Sequence, residues 1–437
     1  MNRAKAEAWL NALVNLETGV GVPSGVDRRK SHPTLDRMHA LLELLGSPQL
    51  EYPTIQITGT NGKTSTARMT SQLLTASGLS VGTYTSPHLE RVNERITWRG
   101  DPISDSEFAE IVSHVALVEE HITERVSYFE AITAGAFDFF AEVAVEVAVV
   151  EVGLGGTWDA TNVIEAEVAV ITNIGIDHAE YLGGTRQEIA SQKSGIVKPG
   201  SMLVLGETDP SLLSIFSSRE PRSIVIRDRD FGVQGNSLAV GGRVLNLYTP
   251  KSRYDDVFLA LHGEHQADNA AIALCAAESY IGAPLSADVV AEVFGTIASP
   301  GRLEIVGHQP LLLLDGAHNL AGASALLGAL DEEFAVGDRT LLIGLLEGKD
   351  PGEMLTALGA KSAAHIVFTR PPSPRGSDPE VLARVARELG VPADAIDVIE
   401  QPEKALERAL AVTTPDGQVV VTGSLYLVGA IRAELNT

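Results

Sequence analysis

Short β-rich runs alternate with helical patterns along most of this 437-residue chain. PTIQITGT, VEVAVVEVG and EVAVITNIG carry apolar residues on both faces, as strands do when helices cover both sides of their sheet. The segments near them, such as TSTARMTSQLLTASG and AITAGAFDFFAEV, have the length and spacing of helices. This alternation predicts an α/β fold in which crossover helices join the strands of a parallel sheet.

The same rhythm predicts two domains. Residues 202–262 change to short strand-like pieces with turn signals, which indicates a small β-rich section. Pro300 and Gly301 then interrupt the pattern and predict an interdomain hinge, beyond which LLLLDG, RTLLIGLL and QVVVTGS resume it. We therefore expect a P-loop-type parallel-sheet ATPase domain at 1–298, which includes the β-rich section, and a smaller Rossmann-like α/β domain at 299–437.

Composition and charge limit the partners and the cellular compartment that we expect for this chain. The chain has 33 Lys+Arg against 57 Asp+Glu, and a net charge of −24 disfavours binding to nucleic acid. Cys275 is the single cysteine, so no intramolecular disulfide can form, and a reducing cytoplasm fits best. No segment reaches the ~18 uninterrupted apolar residues of a membrane span. We expect a cytoplasmic monomer that acts on small molecules.

The sharpest local signal is a glycine-bearing loop between a predicted strand and a predicted helix. Its backbone N–H groups and the helix dipole favour a phosphate, a lysine adds a cation, and a threonine hydroxyl can meet Mg²⁺. The full GxxxxGK[ST] spacing would need glycine where the chain has Ile57, so the match is to a shorter variant. The alternative is a simple turn before a helix. The loop residues are Gly59, Thr60, Asn61, Gly62, Lys63 and Thr64.

A second group of polar residues follows two predicted strands. Glu151 ends the strand VAVV, and Asp177 and His178 come after VAVITNI. Ligands of parallel α/β sheets bind outside the carboxyl ends of the strands, where these groups and the phosphate loop would meet. Carboxylates suit a hard cation that bridges ATP phosphates. The alternative is that Glu151 caps a turn and that His178 is a satisfied surface residue.

Nine motifs, in their order and separation, resemble the folylpolyglutamate synthase/dihydrofolate synthase branch of the Mur ligase family. The resemblance extends from about position 32 to position 424, which is nearly the whole chain. The motifs are TGTNGKTS, TSPHL, EVGLGGTWDATN, NIGIDHAEYLG, QKSGIVKPG, GEHQADNAA, PGRLE, DGAHN and GLLEGKD.

The resemblance implies a set of metal ligands and catalytic groups. Ser86 and Glu151 match ligands of the Mg²⁺ that holds the β- and γ-phosphates. His178 matches a ligand of a second Mg²⁺, and Lys193 matches a lysine that is carbamylated on its ε-nitrogen. Carbamylation would turn a cation into a carboxylate-like ligand. Lys63, His178 and Lys193 would form the catalytic set. The alternative for Lys193 is an exposed helix lysine.

The resemblance also implies nucleotide and substrate contacts. Asn269, Arg302 and Asp315 match residues that hold the nucleotide, and His318 lies in the same motif as the last of these. A second set corresponds to pterin-side contacts of the bifunctional branch, although its two aromatic residues could equally form the first turn of a core-packed helix. That set is Ser127, Tyr128, Phe129, Glu130, Trp158, Asp159 and Ala160.

The implied reaction is ATP-dependent amide formation. A carboxylate of dihydropteroate or of a folate would attack the γ-phosphorus, and the amine of L-glutamate would then attack the acyl phosphate. Three alternatives stay open at this point: a folylpolyglutamate synthase with that activity alone, a cell-wall amino-acid ligase with the same loop, and a nucleotide-dependent switch or transport ATPase. The segments TSPHL and DATN speak against the cell-wall ligase, and nothing in the sequence resembles switch segments.

Overall fold

The computed structural model describes residues 1–15, 17–18, 34–334 and 337–436. In the described part, no helix is both long and apolar enough to cross a membrane. The chain divides into two compact units. The first comprises Met1–Ala239, Arg243–Ala260 and Gln266–Ile297, and the second comprises Val240–Gly242, Leu261–His265 and Ala298–Thr437.

The first unit alternates strands and helices. Its helices are α1 (Arg3–Asn11), α2 (Asp36–Leu44), α3 (Lys63–Ala76), α4 (Asp105–Glu119), α5 (Tyr128–Glu142), α6 (Ala179–Leu182), α7 (Arg186–Lys193), α8 (Leu213–Ser217), α9 (His265–Ile281) and α10 (Ala287–Thr296). Its strands are β1 (Thr54–Thr58), β2 (Val81–Tyr84), β3 (Ile96–Trp98), β4 (Asp101–Pro102), β5 (Val147–Glu151), β6 (Val168–Ile171), β7 (Met202–Leu205), β8 (Ser223–Ile226), β9 (Gly232–Ala239), β10 (Gly242–Tyr248) and β11 (Arg253–Leu259).

An eight-stranded sheet organises this unit, in the order β4-β3-β2-β5-β1-β6-β7-β8. The strands from β2 to β8 in that order pair in parallel, and β3 and β4 add an antiparallel edge. Every residue of β1 and β5 is buried, because helices cover both faces of the sheet. The predicted parallel α/β sheet is confirmed, and β1, β5 and β6 end side by side.

The β-rich section is smaller than its predicted extent of 202–262. Strands β7 and β8 continue the main parallel sheet, and only β9, β10 and β11 form a separate three-stranded sheet. The predicted extent was too large because α8, between β7 and β8, has five residues, too few to produce a helical pattern. The prediction was therefore wrong for 202–226 and right for the three strands that follow.

The second unit has a six-stranded sheet in the order β12-β13-β17-β14-β15-β16. The pairs from β13 to β16 are parallel, and β12 adds an antiparallel edge, which agrees with a second α/β unit. Its strands are β12 (Glu304–His308), β13 (Leu311–Leu314), β14 (Arg339–Ile343), β15 (His365–Phe368), β16 (Ile396–Val398) and β17 (Gln418–Thr422). Its helices are α11 (Leu320–Glu333), α12 (Pro351–Ala357), α13 (Pro379–Glu388), α14 (Pro402–Val412) and α15 (Leu425–Leu435).

Cys275 lies on α9 with 2% of its surface exposed, and burial raises the pKa of its thiol to about 12. Because the thiolate is the reactive species, we expect a disulfide reagent at pH 8 to modify the native protein about 10³-fold more slowly than the denatured one. Titration with a chromogenic disulfide, with and without denaturant, measures this. Rapid labelling of the native protein would contradict the buried position.

Candidate active site

The phosphate loop connects the end of β1 to the start of α3. Gly62 has φ of +80° immediately before the first residue of α3, a conformation that favours glycine. A Cβ at Gly62 would lie 2.3 Å from Oδ1 of Asn269, and one at Gly59 would lie 1.8 Å from Oγ1 of Thr172. A side chain at either position would force a neighbour to shift, and the Asn269 side chain of α9 lies directly against the loop.

The loop is fastened to the segment that follows β6. The backbone N–H of Asn61 donates to Oδ1 of Asn173 at 3.0 Å, and Nδ2 of Asn173 donates to the Asn61 carbonyl at 3.1 Å. The Thr60 hydroxyl donates to the Gly175 carbonyl at 3.0 Å and accepts from the Gly175 N–H at 2.9 Å. These bonds couple the phosphate loop to the segment that carries Asp177 and His178.

Two lysine side chains converge on one carbonyl of the loop. Nζ of Lys63 donates to the carbonyl of Gly59 at 3.1 Å, and Nζ of Lys193 donates to the same carbonyl at 2.7 Å. Lys193 has only 4% of its surface exposed, which excludes the exposed-lysine alternative. Burial and the charge of Lys63 hold the pKa of Lys193 well below its ordinary value, although Asp177 and Asp159 act in the opposite direction.

A cluster of oxygen donors lies beside the loop. Glu151, at the end of β5, is 1% exposed and accepts from the Thr64 hydroxyl at 3.0 Å and from the Ser86 N–H at 3.3 Å. The Ser86 hydroxyl is buried and has no hydrogen-bond partner among the described residues. A buried carboxylate with two hydroxyls beside it matches the hard oxygen ligands that Mg²⁺ prefers.

The remaining ligands of such an ion would come from elsewhere. Among the described residues, no group of three or more His, Cys, Asp or Glu side chains is arranged to hold a metal. Mg²⁺ sites that use one or two carboxylates usually complete their coordination with substrate phosphates and water. The donor set of Thr64, Ser86 and Glu151 fits an ion that arrives with a nucleotide.

His178 occupies a strained position just before α6. Its φ of +50° is unusual for a residue other than glycine, and its side chain is 38% exposed. Its backbone N–H donates to Oδ1 of Asp177 at 2.8 Å, and its Nε2 lies 3.9 Å from Oδ2 of the same residue. Strain of this kind is often found at functional sites.

The predicted pterin-side residues fall in two segments that pack together. A Cβ at Gly153 would lie 2.6 Å from Cζ of Phe129, so the loop after β5 lies against that ring. The carboxylate of Asp159 accepts from Leu154 N–H at 2.8 Å and from Thr161 N–H at 3.0 Å. Burial raises the pKa of Asp159. Ala160 is buried directly after it, and Trp158, just before it, packs near Gly155.

Ser127 and Glu130 have clear roles at the start of α5. They form a capping box in which each side chain accepts from the backbone N–H of the other. The second oxygen of Glu130 accepts from Arg37 at 3.1 Å. Tyr128 is buried in the first turn, and the partly buried Phe129 packs against the same hydrophobic core, as the alternative of a core-packed first turn describes.

Sequence reasoning missed a buried ion pair next to these segments. Arg95 is 1% exposed and donates to both oxygens of Glu17, at 2.9 and 2.6 Å. Its Nε donates to Nδ1 of His88, and burial together with Arg95 lowers the pKa of His88 to about 4. Arg95 also lies over the Tyr128 ring, 5.4 Å from its centroid. No local pattern signals a pair separated by 78 positions.

In the second unit, the predicted nucleotide residues cluster at the end of β13. Asp315 accepts from Leu303 N–H at 2.9 Å and from Ala317 N–H at 2.8 Å. Burial raises the pKa of Asp315, and the nearby Arg302 partly offsets this effect. Nδ1 of His318 lies 2.8 Å from the Gly316 carbonyl. The structure therefore brings Arg302, which precedes β12, close to the turn after β13 that carries Asp315 and His318.

Comparison with known proteins agrees with this geometry. The Mur ligase middle domain matches residues 57–277, and the Mur ligase glutamate ligase domain matches residues 301–425. The dihydrofolate synthase/folylpolyglutamate synthase of Mycobacterium tuberculosis is 42% identical over 92% of this chain and 89% of its own length.

Two solved structures show the same similarity. A folylpolyglutamate synthase of Mycobacterium tuberculosis complexed with ADP and AMPPCP is 41% identical, with a TM-score of 0.87 over 93% of this chain and 96% of its own. An FPGS–AMPPCP–folate complex is 31% identical, with a TM-score of 0.83 over the full length of both chains.

These matches cover most of both units and place the chain in an enzyme class. The chain belongs to the Mur ligase family. Within that family it belongs to the dihydrofolate synthase/folylpolyglutamate synthase branch, and it is an ATP-dependent ligase.

Proposed function

We propose that this ligase joins L-glutamate both to dihydropteroate and to folates, through an acyl phosphate. The observation that carries the proposal is the buried Glu151 carboxylate with the unpartnered Ser86 hydroxyl, placed beside a glycine-bearing loop that presents Lys63. The named activities of the relatives supply the substrates.

The chemical obstacle is electrostatic repulsion. A carboxylate about 4 Å from a phosphate anion is repelled by ~1 kcal/mol per charge pair in water and by ~4 kcal/mol at an effective dielectric of 20. Lys63 opposes this repulsion at the triphosphate, and the backbone N–H groups at the N-terminus of α3 would orient the phosphates. When bound through Thr64, Ser86 and Glu151, Mg²⁺ would supply further neutralising charge. Catalysis then consists of positioning and charge stabilisation, without a protein nucleophile.

A second cation site would form from His178 and a carbamylated Lys193. The lowered pKa of Lys193 favours the neutral amine, which can attack the carbon of CO₂ and lose a proton to give a carbamate. The carbamate would place a negative charge beside the Lys63 ammonium, which attracts it. Mass spectrometry under native conditions, with and without bicarbonate, tests for the added mass of CO₂ on Lys193.

The other roles are assigned on the same basis. Asn269, with Arg302, Asp315 and His318 of the 299–437 domain, would hold the nucleotide. Phe129, Trp158 and Asp159, with the residues that flank them, would form the pterin side of the acceptor site. We also propose that the enzyme is a cytoplasmic monomer, which sedimentation of the purified protein can test.

The test of function is an assay with ATP, Mg²⁺ and L-glutamate in which dihydropteroate and tetrahydrofolate are offered separately. We expect ADP formation that depends on acceptor and glutamate, with a glutamylated product from each acceptor. With ¹⁸O in the acceptor carboxylate, the released phosphate should carry one ¹⁸O. Product from tetrahydrofolate alone would favour the monofunctional synthase, and ADP release without an acceptor would contradict the ligase proposal.

Ser86→Ala tests the first cation site. Because the hydroxyl has no hydrogen-bond partner in the described part of the chain, its removal should leave the melting temperature of the metal-free protein within about 1 °C. The apparent Mg²⁺ requirement of the ligase reaction should rise, and kcat should fall about 10²-fold. Mg²⁺ titration of activity and thermal unfolding measure the two effects. Ordinary Mg²⁺ dependence in the variant would contradict the assignment of Ser86.

A further inference from the structure

We propose that Arg186 and Glu207 act as positioning residues that hold the segment of residues 173–178, hereafter the His178 loop, in the geometry its metal ligand needs. The inference rests on the role proposed above for His178. It concerns how that side chain is placed, which neither the family match nor the sequence motifs address.

Arg186 and Glu207 together hold both backbone groups of one loop residue. The Ile174 N–H donates to Oε2 of Glu207 at 2.9 Å, and Nε of Arg186 donates to the Ile174 carbonyl at 3.1 Å. The two side chains are themselves joined, because Nη2 of Arg186 lies 2.9 Å from Oε2 of Glu207. The ion pair thus offers the Ile174 backbone one hydrogen-bond acceptor and one donor, as a neighbouring β-strand does.

The pair has its own supports. Glu207 is 8% exposed, and its Oε1 accepts from the Asp209 N–H at 2.9 Å. Nη1 of Arg186 donates to Oδ2 of Asp209 at 2.7 Å. Hydrogen bonds that involve charged groups are stronger than neutral ones, and burial of the carboxylate strengthens them further. The guanidinium therefore has a fixed orientation from which to hold the loop.

The opposite side of the His178 loop is held by the phosphate loop. Asn173 exchanges two hydrogen bonds with Asn61, and Gly175 exchanges two with the Thr60 hydroxyl. Ile174 lies between these two anchors, so the loop start is fixed from both sides. His178 is four residues further on, in its left-handed conformation.

Fixing the loop matters because a functional side chain must stay within about 0.5 Å of its productive position. His178 is partly exposed and directly precedes α6, a helix of only four residues. A loop released from Ile174 would sample positions in which the imidazole misses the cation. Arg186 and Glu207 therefore affect cation binding without touching the cation.

The first readout needs neither metal nor nucleotide. In Arg186→Met, amide hydrogen exchange of a peptide that covers 172–178 should become about tenfold faster, with other peptides unchanged. Glu207→Gln keeps the shape of the side chain and should give a smaller change in the same peptide. Arg229→Met is the matched control, since it removes the same kind of side chain from an ion pair with Asp230 that has no part in holding the loop.

The second readout is the Mg²⁺ dependence of the ligase reaction. Arg186→Met should raise the Mg²⁺ concentration for half-maximal activity several-fold, while kcat at saturating Mg²⁺ returns to within about twofold of the parent. His178→Asn, measured in the same titration, tests the proposed role of His178 itself.

Faster exchange with a shifted Mg²⁺ midpoint supports the inference. Unchanged amide hydrogen exchange of the 172–178 peptide in Arg186→Met overturns the inference. Faster exchange in Arg186→Met without a change in its Mg²⁺ midpoint also overturns it, provided that His178→Asn does change the midpoint. If His178→Asn leaves the midpoint unchanged, the proposed role of His178 fails and the inference fails with it, while ligase activity toward folates stands.

Discussion

Replacing Lys63 with methionine should lower kcat/KM for ATP about 10³-fold, which corresponds to about 4 kcal/mol of transition-state stabilisation. Nζ of Lys63 donates to the Gly59 and Thr60 carbonyls, and a bound triphosphate would replace these two hydrogen bonds. Methionine keeps the length of the side chain, so the variant should fold. Steady-state kinetics with ATP as the varied substrate measures the loss.

Lys361→Met provides the control for Lys63. Lys361 is an exposed lysine of the second unit, and its loss should change kcat/KM less than twofold. A Lys63→Met enzyme with nearly full activity would mean that the loop does not carry the triphosphate. The variant should also raise the pKa of Lys193 toward its ordinary value, because the charge of Lys63 contributes to its depression.

Glu151→Gln should lower activity about 10³-fold and leave the stability of the metal-free protein unchanged or higher. The amide preserves the shape of the side chain but removes the negative charge that a cation needs. In the absence of a cation, that charge is buried at 1% exposure, and burying an ionised group is unfavourable. The variant should therefore lose activity without a fall in its melting temperature.

Glu278→Gln is the matched control, since Glu278 is equally buried in the same unit. Its carboxylate accepts from Tyr254, Thr249 and the Leu285 N–H, and it has no place in the proposed reaction. This variant should lose stability by about 1–3 kcal/mol and keep its activity per folded molecule. If the two variants behaved alike, Glu151 would be a structural residue rather than a metal ligand.

Much of the fold could be predicted because the strands carry their own signal. VAVV and VAVI are uniformly apolar, as expected of a sheet covered on both faces, and both lie in central strands. The convergence of the phosphate loop with Glu151 also follows from the fold, because neighbouring parallel strands end at the same edge.

The rest depended on contacts between residues far apart in the chain. The Arg95–Glu17 and Arg186–Glu207 pairs join segments 78 and 21 positions apart, and no local periodicity predicts the partner of a charged residue across such separations. The burial of Lys193 was equally invisible, since α7 carries charged and polar residues at most positions. The extent of the β-rich section was wrong because α8 is short.

The most direct measurement of the central claim is a crystal structure with a non-hydrolysable ATP analogue and Mn²⁺ in place of Mg²⁺. The account predicts β- and γ-phosphates within hydrogen-bond distance of the loop N–H groups and of Nζ of Lys63. It also predicts an anomalous Mn²⁺ peak in contact with Oγ of Ser86 and a carboxylate oxygen of Glu151. A triphosphate bound away from this loop, or a peak that touches neither Ser86 nor Glu151, would contradict it.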